Sequence, residues 1–206
     1  MIEIFCPNVS VNSIFDIDLR ALRARGIRGI IIDLDNTLVE WDNEELAQEV
    51  RDWVRNARKM GFRICIASNG LKERVESFAR QLKIPAISKA VKPTKRPFLE
   101  ALRILRTSPT QTAVVGDQIF TDIFGGNRLE LYTILISPMS DREAVTTRVV
   151  RKVENGVVSR LQKKGLMPAE IARGRRVKAR RLRRLIKRAW SWASEDADND
   201  LMAGRR

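Results

Sequence analysis

The run Ile30-Ile31-Ile32-Asp33-Leu34-Asp35-Asn36-Thr37-Leu38 passes through three β-branched residues and then offers two carboxylates one residue apart, followed by a threonine hydroxyl. An apolar run without polar alternation reads as a strand buried on both faces, here Gly29 to Leu34. The carboxyl ends of such strands are where open α/β sheets collect ligands. Strand neighbours point to opposite faces, but the chain turns past the strand end, so Asp33 and Asp35 can face one crevice. One carboxylate can then attack phosphorus while the other handles the proton, which is phosphoryl chemistry.

Later segments end in residues suited to the same reaction. The apolar stretch Phe62 to Ala67 stops at Ser68-Asn69-Gly70, where a hydroxyl and backbone amides can donate to non-bridging phosphate oxygens. Ala86-Ile87 leads to Lys92-Pro93, an ammonium that can neutralise nucleophile and phosphoryl group, with proline stiffening its approach. Thr112 to Val115 ends in Gly116-Asp117, and Asp122 follows five residues on. Three carboxylates converging on one crevice repel each other without a cation, so a bound Mg²⁺ is implied. The chain has no histidine. That removes histidine-based triads, H-E-x-x-H zinc sites and phosphohistidine intermediates.

Positioning these residues requires strand and helix to alternate, which predicts a parallel sheet flanked by helices. Asp42 reads as an N-cap with Glu45 three residues on, opening a helix whose apolar face is Leu46, Val50, Trp53, Val54 and Ala57 and which Gly61 ends. Further helices are expected over Leu71 to Leu82 and Lys95 to Arg106, a strand over Tyr132 to Ile136, and a mostly helical stretch from Asp141 to Lys164 with a break at Asn155-Gly156. One helix and one strand fill Leu38 to Ala67, and Leu71 to Val91 is equally full, so no cap domain fits. An uncapped site is open to bulk water and suits a phosphate displayed on something large: a protein, a nucleic-acid end or a lipid headgroup.

The 206 residues suffice for one well-buried domain and an appendage. No apolar run of about 18 residues exists to cross a bilayer. Met1 to Ser10 lacks the basic start and long apolar stretch of a signal peptide, so a cytosolic location is expected. Cys6 and Cys65 suggest no disulfide scaffold, and Cys65 sits in an apolar run as a core residue.

Charge is uneven. The chain carries a formal +14, of which residues 1–165 and residues 166–206 each hold +7. Arg173 to Arg188 contains ten basic residues and no acidic one. Leu182, Leu185, Ile186, Ala189, Trp190 and Ala193 recur at helical spacing beside these charges, which makes residues 173–193 a basic amphipathic helix. Two partners fit it. An anionic membrane would take the apolar stripe, with Trp190 and Trp192 at headgroup level. RNA or DNA would bind the same charges, weakly at high salt. The bland alternative is a solvated basic tail, and the continuous apolar stripe favours the membrane. Glu195 to Arg206 reads as a flexible, largely acidic end.

The ordered set from Asp33 to Asp122 resembles the haloacid-dehalogenase-like superfamily of phosphatases. Phe15-Asp16-Ile17, Gly26-Ile27-Arg28-Gly29-Ile30, Asp33 to Asp42, Gly116-Asp117-Gln118 and Gly125-Gly126-Asn127-Arg128-Leu129 are similar, within it, to the YqeG family of subclass IIIA phosphatases. The likeness spans roughly residues 1 to 160. It implies a three-layer, Rossmann-like α/β domain, taken over residues 1–165, while the charge count sets residues 166–206 apart as a basic helical extension with a flexible end. It also implies that Asp33 forms an aspartyl-phosphate and that Asp35 is general acid and then base. Thr37 would brace the loop at the phosphate, and Ser68, Asn69 and Lys92 would hold the phosphoryl group. Asp33, the backbone carbonyl of Asp35, Asp117 and Asp122 would hold Mg²⁺. Asn127-Arg128 offers either a headgroup contact or a plain helix end. The family is similar to mitochondrial and plastid phosphatidylglycerophosphatases, so the expected substrate is phosphatidylglycerophosphate at the inner face of the membrane. A protein, nucleotide or nucleic-acid phosphate is the alternative. A binding protein for RNA or the ribosome with a vestigial site is a third reading, against which intact Asp33, Asp35, Lys92 and Asp117 argue.

Overall fold

β2 (Gly29–Ile32) runs near the middle of a six-stranded sheet in the order β1-β6-β5-β2-β3-β4, and every neighbouring pair is parallel. The other strands are β1 (Val9–Val11), β3 (Arg63–Ala67), β4 (Ala86–Ile87), β5 (Thr112–Gly116) and β6 (Tyr132–Ile136). The helices are α1 (Leu19–Ala24), α2 (Gln48–Lys59), α3 (Lys72–Leu82), α4 (Lys95–Leu105) and the short α5 (Phe124–Asn127), which follows a π-helical turn, Ile119–Ile123. This computed structural model describes residues 2–140 and, beyond them, Gly156, Ser159, Leu161, Lys163 and Gly165.

Both faces of the sheet are covered, which is why its strands read as unbroken apolar runs. Ile30 and Ile32 point into a core with Leu22, Val54, Ala57, Val75 and Phe78 from α1, α2 and α3. Ile31, Cys65 and Val114 point the other way, onto Phe98, Ala101 and Leu105 of α4. The result is the expected three-layer α/β architecture. Cys65 is fully buried, and burial pushes its thiol up to about 12, so it behaves as a core residue.

From β2 the chain moves outward through β3 and β4, then returns to place β5 on the other side of β2. This reversal opens a crevice between the carboxyl ends of β2 and β5, where ligands collect in open parallel sheets. Among the described residues, only α2 with its leading loop lies between β2 and β3, and only α3 between β3 and β4.

Two local expectations are corrected, and two elements were not anticipated. The helix after β2 does not open at Asp42: residues 42–47 are non-helical, and α2 starts at Gln48 after Ala47. The side chain of Asn43 accepts from the Glu45 amide at 2.9 Å, and Arg74 Nη1 and Nη2 donate to the carbonyls of Asn43 and Glu40 at 2.8 and 3.0 Å. These bonds hold the loop in an open shape that a capping box at Asp42 would need to undo. Gly156, expected at a break, is helical. Finally, β1 and α1 carry too few periodic residues to be read ahead of the structure. Asp18 caps α1 by accepting from the Ala21 amide at 2.9 Å.

The chain divides into Met1–Ala172 and Arg173–Arg206. The expected amphipathic helix over 173–193 lies outside the described residues, as does most of 141–164. No helix among the described residues is long and apolar enough to cross a membrane.

Candidate active site

β2 delivers Asp33 to the crevice, where its amide donates to the Val115 carbonyl of β5 at 2.9 Å. The turn that follows requires a left-handed residue, which Asn36 supplies at φ 58°. Backbone amides of Leu38 and Val39 both close on the Leu34 carbonyl, tightening the turn around the two aspartates. The side-chain oxygens of Asn36 and Thr37 are buried without a hydrogen-bond partner among the described residues. Buried polar atoms are normally paired. An orphaned Thr37 hydroxyl beside Asp33 and Asp35 therefore marks a place built for something more than protein.

Lys92 is the centre of the site. The residue is 7% exposed, and its ammonium donates to Asp33 Oδ1 and to Asp122 Oδ1, both at 2.6 Å. Lys92 is therefore no solvated surface charge, and Asp122, 1% exposed, is equally buried. Burial alone would lower the lysine's proton affinity, but Asp122 and Asp33 outweigh it, so its pKa lies above the ordinary value and the ammonium is held charged. Burial pushes Asp33 up to about 7, with Asp122 and Asp35 adding to the shift and Lys92 opposing it.

Asp33, Asp117 and Asp122 each offer a carboxylate oxygen within 4.8 Å of the others, and all three are buried. One lysine cannot balance three buried carboxylates. An all-oxygen, carboxylate-rich donor set of this size fits a hard divalent cation rather than zinc or copper. Asp122 reaches the group only because Gly116 has no side chain: a Cβ there would overlap the Asp122 carboxylate.

Ser68 and Asn69 leave β3 on the other flank. Ser68 Oγ accepts from the Gly70 amide at 3.0 Å, which leaves its proton to donate. Asn69 is turned onto the backbone of Lys92, accepting from its amide at 2.8 Å and donating to its carbonyl at 3.3 Å. Its side chain thus holds the backbone of Lys92 in place.

Asp35 stands apart from the three-carboxylate group. Its Oδ1 accepts from Arg74 Nε at 2.9 Å, while its Oδ2 faces the gap left by Gly70, where a Cβ would come within 3.0 Å of it and 3.1 Å of Ser68 Oγ. Arg74 had no sequence signature: one basic residue a turn into a helix looks solvated. Phe78, one turn later, supports its guanidinium at 5.0 Å from the ring centroid.

Asn127 is committed to hydrogen bonds within the protein, which matches the plain helix-end alternative. Its amide nitrogen donates to the carbonyls of Ile4 and Cys6 at 2.7 and 2.9 Å, and its oxygen accepts from Thr133 Oγ1 at 2.9 Å. The amide nitrogen pins the N-terminal segment and the oxygen ties it to β6. Arg128 packs over Phe124 and donates to the Pro93 carbonyl at 3.3 Å.

The family model for haloacid dehalogenase-like hydrolases matches residues 33–129. The chain is 39% identical over 163 residues to the "Probable phosphatase YqeG" of Bacillus subtilis (strain 168), covering 79% of this chain and 95% of that protein. It is 29% identical over 174 residues to the chloroplastic/mitochondrial phosphatidylglycerophosphate phosphatase 1 of Arabidopsis thaliana, covering 80% of this chain and 50% of that protein. With the chloroplastic phosphatidylglycerophosphate phosphatase 1 of Chlamydomonas reinhardtii, identity is 28% over 176 residues, covering 79% of this chain and 64% of that one.

Proposed function

The chain belongs to the haloacid dehalogenase-like hydrolase family and is a phosphatase, a phosphoric monoester hydrolase, and from that premise we propose that it dephosphorylates phosphatidylglycerophosphate through an aspartyl-phosphate on Asp33. The observation that carries the chemistry is the Lys92 ammonium shared between Asp33 and Asp122 at 2.6 Å. A nucleophile held against a buried cation, beside further carboxylates, is arranged for transfer of a doubly charged group.

In this reading an ionised oxygen of Asp33 attacks phosphorus and the bond from phosphorus to the ester oxygen breaks. Asp35 gives its proton to the departing alkoxide, and the free glycerol hydroxyl of phosphatidylglycerol leaves. Asp35, now a carboxylate, takes a proton from water as that water attacks the phosphorus. The bond to Asp33 breaks, releasing inorganic phosphate and restoring both aspartates. Lys92, the Ser68 hydroxyl and the Thr37 loop hold the non-bridging oxygens throughout. Asp33, Asp117, Asp122 and the backbone carbonyl of Asp35 would hold Mg²⁺, which when bound neutralises charge on the nucleophile and the transferred oxygens.

The lipid substrate is supported by the two phosphatidylglycerophosphate phosphatases among the relatives and by a crevice with no cap over it in the described residues. In this reading the enzyme works at the inner face of a membrane. The test is phosphate release from phosphatidylglycerophosphate in mixed micelles with Mg²⁺, comparing the parent protein with Asp33→Asn. Release that vanishes in the variant supports the reading. No release, alongside Asp33-dependent turnover of an aryl phosphate, keeps the chemistry and rejects the lipid.

A further inference from the structure

Eight large apolar side chains are exposed among the described residues, and four of them, Trp41, Leu71, Val91 and Met139, stand in loops that leave the carboxyl ends of β2, β3, β4 and β6. The sheet is wholly parallel, so these loops share one edge, the edge that holds Asp33 and Lys92. Hydrogen bonds lace them together. Met139 donates its amide to Asn36 at 3.2 Å, joining the β6 loop to the β2 loop. Lys89 donates its amide to Gly70 at 3.3 Å, and Asn69 brackets Lys92, joining the β3 and β4 loops. Arg74, three residues beyond Leu71, holds the carbonyl of Glu40, next to Trp41. The four side chains are therefore a rim around the catalytic crevice rather than scattered surface residues.

Val91 shows what this arrangement costs. A β-branched residue at φ 55° is strained, yet here the backbone adopts it and leaves Val91 66% exposed while the next residue, Lys92, is buried. The same turn aims the lysine inward and the valine outward.

We infer that this rim is a docking surface for an anionic phospholipid interface, which brings the headgroup phosphate to Asp33 without extracting the lipid. The inference rests on the lipid-phosphatase reading and adds to it the surface that meets the bilayer. Aromatic and aliphatic side chains displayed singly around a polar crevice suit the headgroup boundary, where tryptophan favours the interface and apolar side chains enter the acyl margin. Charge decides the occupant. Beside Leu71 and Val91 the exposed Lys72, Lys89, Lys95 and Arg96 outnumber the exposed Glu73, with Lys72 lying 3.8 Å from Glu76, so this side of the rim is locally positive. Such charges are attracted to an anionic leaflet. Glu40, Asp42, Glu44 and Glu45 flank Trp41 and are exposed. Contact is therefore led by the side of Leu71 and Val91, with Trp41 meeting the surface less deeply.

The test uses the full-length chain with Cys6→Ser and an environment-sensitive fluorophore on Leu71→Cys, mixed with phosphatidylglycerol/phosphatidylcholine vesicles carrying brominated acyl chains. Lys59→Cys, at the end of α2 on the opposite edge of the sheet, is the reference position. Quenching by lipid bromine at position 71 but not at 59 is expected; equal quenching, or none, overturns the docking surface even if the basic segment 173–193 holds the protein on vesicles. A second variant, Leu71→Asp with Trp41→Ser, should fold normally because aspartate is a favoured residue at the N-cap of α3. Its turnover of vesicle-embedded phosphatidylglycerophosphate should fall at least about fivefold, with aryl phosphate turnover within about twofold of the parent. Unchanged lipid turnover also overturns the inference. A parent that hydrolyses aryl phosphate but not the lipid rejects the substrate reading, while the labelled position still decides the docking surface.

Discussion

Arg74 reaches across from the first turns of α3 to place Nε 2.9 Å from Asp35 Oδ1, and spends its other two nitrogens on the carbonyls of Asn43 and Glu40. One planar guanidinium thus fixes both the proposed acid and the loop that carries it. A lysine cannot satisfy three acceptors in that fan. Arg74→Met is expected to lower kcat on an aryl phosphate by roughly 10- to 100-fold, less than the ~10²–10⁴ expected from removing the acid itself. KM should stay within about threefold, and Arg74→Lys should fail to restore the rate. Steady-state kinetics decide this, and a wild-type kcat in Arg74→Met would show that Asp35 needs no such clamp.

Lys92 is equally exposed to test. Its side chain and those of Asp33 and Asp122 are 3%, 9% and 2% exposed, so Lys92→Met leaves buried carboxylates without their cation. The loss should be about 3–5 kcal/mol in chelator, measured by urea unfolding. Divalent cation should restore more stability to this variant than to the parent, because it replaces part of the missing charge. A loss under about 1 kcal/mol would mean that the three-way ion pair contributes little.

The proton on Asp33 gives a pH dependence with a definite sign. Its ordinary pKa of 3.8 is raised to about 7 in the folded protein, chiefly by burial, with Asp122 and Asp35 adding and Lys92 opposing. Between these values the folded state holds a proton that the unfolded chain has lost. The stability from this group is complete below about pH 4 and declines as pH rises toward 7. Melting temperatures of chelated protein should show that decline, and Asp33→Asn should flatten it. An unchanged slope in the variant would assign the effect elsewhere.

Gly116 is required for space. Gly116→Ala should force the Asp122 carboxylate off its position and disturb Lys92 with it. Divalent-cation affinity by calorimetry should drop by at least about tenfold, in line with losses when partners that orient a metal site are disturbed. Retained affinity would show that Asp122 can be dispensed with in the cation site.

Asn127 tests a purely structural role. Asn127→Ala removes two donated bonds to Ile4 and Cys6 and the bond accepted from Thr133, and should cost about 1–3 kcal/mol of stability. Turnover of lipid and aryl phosphates should change in the same proportion. A loss confined to the lipid would return Asn127 to the headgroup.

The sheet and the placement of Asp33, Ser68, Lys92, Asp117 and Asp122 were legible because buried strands advertise themselves as apolar runs and their ends as abrupt polar punctuation. Arg74 and the bonds of Asn69 to the Lys92 backbone were not, since both depend on which loops become neighbours across the sheet edge. The start of α2 was misread for a similar reason. Asp42 and Glu45 have capping spacing, but Arg74, some thirty positions away, claims the loop's carbonyls and the helix begins later. β1 was missed because three residues on a sheet edge carry almost no periodic signal, and its pairing is written mainly in Asn8 and Thr133.

That pairing orders events during synthesis. Asn8 accepts from the Thr133 amide at 2.8 Å across 125 positions of chain, and among the described residues β1 pairs with β6 alone. A ribosome adding about 5–20 residues per second leaves the first strand without its neighbour for roughly ten seconds after it emerges. Meanwhile β2, β3 and β4 can assemble, but the edge that carries Met139 closes onto Asn36 only once β6 is made. A chain stalled before that point would hold Asp33, Ser68 and Lys92 yet lack a finished catalytic mouth, so truncated products should be inert rather than unregulated hydrolases.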